Sequence, residues 1–96
     1  MRGGWVYVMA NRYRSTIYIG VTSHIAARGF QHHTKAGSDF CRRYGLTRLV
    51  YVERADTIEA AITREKQMKK WRRAWKIELI EGMNPDWNDL FETINC

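Results

Sequence analysis

Two short apolar runs rich in β-branched and aromatic residues open the chain, Trp5–Ala10 (WVYVMA) and Thr16–Val21 (TIYIGV). Both have strand length and strand composition, and the five polar residues between them, Asn11–Ser15, suit a hairpin loop. A third run, Leu46–Glu53 (LTRLVYVE), predicts another strand. Between the second and third strands, Ser23 is placed to cap a short helix over Ser23–Thr34 despite Gly29. Asp56 followed by Glu59 has capping-box spacing and predicts a helix from about Thr57 into the early seventies. Ala74–Glu81 is amphipathic, with Gly82 at its end and Pro85 forbidding continuation. The order β-β-α-β-α-α predicts an α/β (α+β) class: a single small domain with a three-stranded, mainly antiparallel sheet flanked by helices.

No internal repeat, linker or low-complexity tract divides the 96 residues. The expected organisation is a folded domain over residues 1–82 and an acidic C-terminal tail over 83–96. Two cysteines, Cys41 and Cys96, make no disulfide framework, and the absence of a Cys-x-x-Cys pair excludes the usual structural zinc spacing. The apolar stretch Trp5–Ala10 is shorter than a signal-peptide core and far short of a membrane span. A cytoplasmic protein with no membrane partner is the expectation.

Charge changes the picture. Sixteen Lys+Arg against ten Asp+Glu give +6, and the segment Arg64–Lys76 alone holds seven basic residues and one acid. The excess is therefore localised, which favours a polyanionic partner, nucleic acid first. Lys69, Lys70, Arg72 and Arg73 are the candidate phosphate contacts. Trp71 and Trp75, interleaved among them, suit stacking or wedging if they are not simply packed inward.

Glu65 falls about 20° from Ile58 on a helix turning about 100° per residue, in the middle of an apolar stripe with Ala61 and Ile62. A carboxylate there needs a partner, either a salt bridge or a hard divalent cation. Arg28 and His32 are four residues apart and share one helix face, opposite Ala26 and Phe30. They read either as a solvated surface or as a phosphate fork beside a proton carrier. Direct pairing of Tyr7 with Tyr18 would put both rings on one sheet face, and a one-residue slip would separate them. Gly20 marks a place where something approaches the strand backbone closely.

Together these residues resemble the GIY-YIG nuclease superfamily over about residues 4 to 82. Trp5-Val6-Tyr7 stands where the family has Gly-Ile-Tyr, and Tyr18-Ile19-Gly20 is the second motif verbatim, ten residues lying between the two tyrosines. Ile25-x-x-Arg28-x-x-x-His32 looks like the family's short helix, and Arg64-Glu65-Lys66-Gln67 like the helix carrying its metal-binding glutamate. Residues 68–80 are similar to the small stand-alone bacterial members, the excinuclease-like proteins. The chain departs from the pattern at Trp5 and Val6. It also departs where the family commonly has an asparagine soon after the glutamate: Ile77 stands in that region and Asn84 comes later.

The resemblance implies hydrolysis of DNA phosphodiesters with one Mg²⁺ or Mn²⁺ ion and a place in DNA repair or processing. It assigns the metal to Glu65, transition-state charge to Arg28, and proton transfer to Tyr18 or Tyr7 with His32 as relay. With no zinc finger or helix-turn-helix appended, the expected sequence specificity is low. The alternative is a catalytically weak or inactive nucleic-acid-binding module of the same fold. A protein–protein adaptor using residues 86–92 and the tryptophans is a third reading.

Overall fold

The computed structural model describes residues 3–25 and 43–91. Three strands, β1 (Gly4–Ala10), β2 (Ile17–Thr22) and β3 (Arg48–Ala55), form one antiparallel sheet in the order β2-β1-β3. Two helices follow, α1 (Ile58–Lys69) and α2 (Arg73–Met83). The expected α+β class and three-stranded antiparallel sheet are therefore found. Beyond Ile25, the helix expected over Ser23–Thr34 lies outside the described residues.

β1 is the middle strand and is covered on both faces, which is why its sequence is a continuous apolar run rather than an alternation. Val6, Val8 and Ala10 join Ile19 in the cluster that receives Ala61 and Met68 of α1, Ile80 of α2 and Trp87. Tyr7 and Met9 point the other way, into a second cluster with Ile25, Leu46 and Leu49. β1 and β3 slip register between Val8 and Met9, so that Val8 faces Tyr51 and Met9 faces Leu49. Val50 is the extra residue of this bulge, and both Val50 and Tyr51 enter the helix-side cluster.

α1 approaches β1 at Gly4, where a Cβ would lie 2.8 Å from the Ala61 Cβ and 2.9 Å from the Ile58 Cα. The helix is capped one residue later than the spacing predicts. Thr57, extended at φ −134° and ψ 158°, accepts a hydrogen bond on its Oγ1 from the Ala60 N–H at 3.0 Å. Because β3 continues to Ala55, Asp56 still belongs to the turn, and the cap passes to the first residue whose hydroxyl meets a free helical N–H.

α1 also ends before the early seventies. Lys70 closes it, Arg72 is extended at φ −62° and ψ 151°, and α2 begins at Arg73. The basic segment is thus a corner between two helices. α2 in turn runs through Gly82 to Met83 and stops at Asn84, whose N–H donates to the Ile80 carbonyl at 2.7 Å.

Asn84 sets the path of the chain beyond α2. Its Nδ2 donates to the carbonyls of Val50 (3.0 Å) and Asn88 (2.8 Å), and its Oδ1 accepts the Asn88 N–H. Trp87 is fully buried in the helix-side cluster, while the Asp89 carboxylate accepts the Leu49 N–H and the Leu90 N–H donates to the Leu49 carbonyl. Residues 84–90 therefore pack along β3 and cover part of its open edge.

Candidate active site

The hairpin brings the two motif tyrosines together by a register other than direct pairing. Tyr7 faces Gly20 and Met9 faces Tyr18, so the offset between the tyrosines is two residues rather than one. A two-residue offset keeps both rings on the same face, and their centroids lie 6.3 Å apart with planes inclined at 46°. The loop between the strands is tightened by Ser15, whose Oγ accepts the N–H groups of Asn11 and Arg12. Arg14 adopts φ 53° within it.

Gly20 is where the Tyr7 ring is stowed. A Cβ at this position would run into the Tyr7 hydroxyl, Cζ and Cε2. The close approach expected at Gly20 is thus made by a side chain of the same chain. Tyr7 is 2% exposed and Tyr18 half-buried. Trp5, which stands at the first position of the first motif, packs against the same cluster as Tyr7.

Glu65 occupies α1, whose buried residues Ala61 and Met68 cover the opposite side of the sheet. Ile58, Ala61, Glu65 and Met68 form one inward line at helical spacing. Ile62, read from the sequence as part of that stripe, is instead exposed. The Glu65 side chain is 16% exposed and takes the Lys69 ammonium at 2.7 Å, one turn on. Arg28 and His32 lie outside the described residues.

Among the described residues no group of three or more His, Cys, Asp or Glu side chains could hold a metal ion. Glu65 by itself offers a hard, charged oxygen donor in a mostly covered position. That donor set fits an ion that keeps most of its coordinated water, as Mg²⁺ does.

The basic residues separate into several roles. Arg73 donates through Nη2 to the carbonyls of Arg14 and Ser15, both at 2.7 Å, and so ties the hairpin loop to α2. Arg64 forks onto Glu53 (2.8 and 3.2 Å) and lies over the Trp71 ring at 5.1 Å. Arg72 lies over Trp75 at 5.5 Å, and Lys76 reaches the Lys69 carbonyl at 3.4 Å. Lys69 is engaged by Glu65, while Lys70 is exposed at the corner.

Two networks escape local sequence patterns altogether. Glu53 accepts from both Arg64 and the Tyr51 hydroxyl, and burial together with that carboxylate pushes the Tyr51 phenol up to about 12. Glu81 accepts a fork from Arg14 (2.8 and 2.9 Å) and the Trp87 Nε1–H (2.8 Å), which hold its carboxyl down at about 2. Arg14 is raised in return by the same hydrogen bonds. Asn84, the one asparagine on the C-terminal side of the glutamate that follows α2 directly, is spent on these packing contacts, with both atoms of its amide engaged.

The sequence profile described as the GIY-YIG catalytic domain matches residues 3–78. The chain belongs to the GIY-YIG family. It is similar to small relatives of comparable length. A UPF0213 protein of Syntrophus aciditrophicus is 32% identical over 90% of this chain and 98% of its own. A UPF0213 protein of Natronomonas pharaonis is 33% identical over 79% of this chain and 88% of its own. No solved structure gives a significant match. GIY-YIG membership carries a nuclease-type function in general, with nucleic acid as the substrate class. No helix among the described residues is long and apolar enough to cross a membrane.

Proposed function

We propose that this GIY-YIG protein is a divalent-metal-dependent endonuclease that hydrolyses DNA phosphodiester bonds with low sequence specificity. The observation that carries the reading is the pairing of the Tyr7 and Tyr18 phenols on one sheet face, with Gly20 left bare so that Tyr7 can lie across β2. Glu65 would hold a single Mg²⁺ or Mn²⁺ ion. When bound, such an ion supplies polarisation of the phosphate and charge stabilisation of the leaving oxygen.

The chain's own residues do the rest. The phenolate oxygen of Tyr18 or Tyr7 takes up the proton of the attacking water and becomes the neutral phenol, and His32 relays that proton to solvent. An isolated phenol with a pKa of about 10 is a poor base at neutral pH, so a cationic neighbour must help it ionise. Arg28, at the family's arginine position, supplies that positive charge and neutralises the non-bridging oxygens as negative charge develops. Lys70 and Arg72 supply phosphate contacts at the α1–α2 corner, joined by Lys69 once its pair with Glu65 opens, while Arg73 holds the hairpin loop.

One observation favours a second reading, a binding module without useful catalysis. Lys69 already neutralises Glu65 at 2.7 Å, so this ion pair must open before the carboxylate can take a metal. A cleavage assay on duplex, flapped, branched and single-stranded DNA separates the two. Wild type is expected to cleave only with Mg²⁺ or Mn²⁺, whereas Glu65→Gln loses cleavage and keeps or slightly gains DNA affinity. Cleavage by Glu65→Gln at the wild-type rate refutes the ligand role, and DNA binding by wild type without cleavage establishes the second reading.

A further inference from the structure

A cleft of about 580 Å³ opens on the helix side of the sheet, away from the tyrosine pair. Tyr51 of β3, Trp71 of the corner and Trp75, Leu79 and Met83 of α2 line it, with Glu78 as its acid. Trp75 and Met83 are 52% and 51% exposed, so two large apolar side chains stand open beside the most basic part of the chain.

We propose that this cleft is a stacking subsite for one unpaired nucleobase of a bound DNA strand. The inference rests on the nuclease reading and adds a binding site on the sheet face opposite the tyrosine pair.

Three features point to a base rather than to an apolar peptide or a second copy of the chain. The walls are aromatic, and Trp75, which meets Trp71 edge to face at 75°, is half exposed, so ring surface remains available to a planar guest. Each indole already has a guanidinium against it, Arg64 on Trp71 and Arg72 on Trp75. Arg64 is already paired with Glu53, which leaves Arg72 and Lys76, the residue after Trp75, to set against Glu78. A nucleotide brings both the π-face and the phosphate that these cations complement. Gly82 also lines the cleft, although nothing lies within 4 Å of where its Cβ would be. Packing therefore does not require glycine in this helical turn, and its bareness widens the cleft mouth.

The location predicts how the site is used. Tyr51 and the helices lie on one side of the sheet, and Tyr7 and Tyr18 lie on the other. A strand held both in the cleft and beside the tyrosine pair must pass round the edge of the sheet.

The test is equilibrium binding without divalent ions, so that no cleavage occurs. The full chain is titrated with oligothymidine, an abasic strand of equal length, a perfect duplex, and the same duplex carrying one bulged base. Wild type is expected to bind oligothymidine about tenfold or more tighter than the abasic strand, within the range expected for stacking one base. It should also prefer the bulged to the perfect duplex if the base can come from a disrupted helix; preference for oligothymidine alone identifies single strands as the source.

Trp75→Ala and Gly82→Leu should each collapse the base-dependent difference while leaving abasic binding unchanged. Trp75→Phe should restore most of it, and circular dichroism shows whether each variant folds. Equal loss for oligothymidine and the abasic strand, or none, overturns the proposal. So does a Trp75→Ala change confined to self-association, which would make the cleft a contact between copies. Failure of wild type to bind any of the four ligands defeats the nuclease reading as well, whereas base-dependent binding without cleavage leaves the subsite standing alone.

Discussion

Replacing Gly20 with alanine should destabilise the domain severely, although it adds a single methyl group. The added Cβ meets the hydroxyl, Cζ and Cε2 of Tyr7, all within 3 Å, a range that real Cβ contacts avoid. The ring has little freedom to move away. It is 2% exposed, lies beside Tyr18 and belongs to the cluster of Met9, Ile25, Leu46 and Leu49. Overpacking of this kind costs about 1–3 kcal/mol. The fixed ring puts Gly20→Ala near the top of that range, and complete expulsion of the aromatic side chain sets a ceiling of about 3–5 kcal/mol. For a domain of this size, a loss of 2–3 kcal/mol lowers the thermal midpoint by roughly 10–20 °C.

Thermal and urea unfolding of wild type, Gly20→Ala, Tyr7→Ala and the double variant form a complete cycle. If the cost arises from the Tyr7 ring, Gly20→Ala should be nearly neutral in the Tyr7→Ala background, a coupling of about 2–3 kcal/mol. A cost that is the same in both backgrounds, or below about 0.5 kcal/mol in wild type, refutes the stowed-ring geometry. Tyr7→Phe should not relieve the clash, because Cζ and Cε2 remain.

Thr57→Ala should cost about 1 kcal/mol in urea unfolding and Asp56→Ala much less, since Thr57 makes the cap hydrogen bond. Glu81 has a carboxyl near 2 against an ordinary 4.5, so its contribution is complete above pH 4.5 and disappears as the pH falls from there towards 2. Glu81→Gln should therefore flatten the acid limb of a stability–pH curve, and an unchanged limb would show that the Arg14–Glu81–Trp87 contact is not populated in solution. Neutralising Lys70 and Arg72 should lower the log–log salt slope of DNA binding by up to about two. Arg73→Ala should act mainly through stability instead, by about 1–2 kcal/mol, because its guanidinium holds the Arg14 and Ser15 carbonyls. A full unit of slope lost with unaltered stability would return Arg73 to the DNA-binding surface.

What the sequence determined by itself is local. Strand composition and a polar loop specify the hairpin, and the Tyr18-Ile19-Gly20 motif with its ten-residue spacing identifies the family without reference to any distant contact. The inward position of Glu65 follows from helical periodicity alone, which is why it was legible even though Ile62 on the same supposed stripe turned outward. Tertiary structure decided whatever depends on a partner far along the chain. Arg14 and Glu81 meet across 67 residues, Arg73 reaches Arg14 across 59, and Asn84 finds the Val50 carbonyl across 34. No local propensity encodes such pairings, so a basic run that reads as one helix became a corner, and a positive charge that reads as a phosphate contact became a tie for the hairpin loop. The offset of Tyr7 from Tyr18 has the same origin. Composition permits several registers, and the one adopted is the one in which Gly20 makes room for the Tyr7 ring.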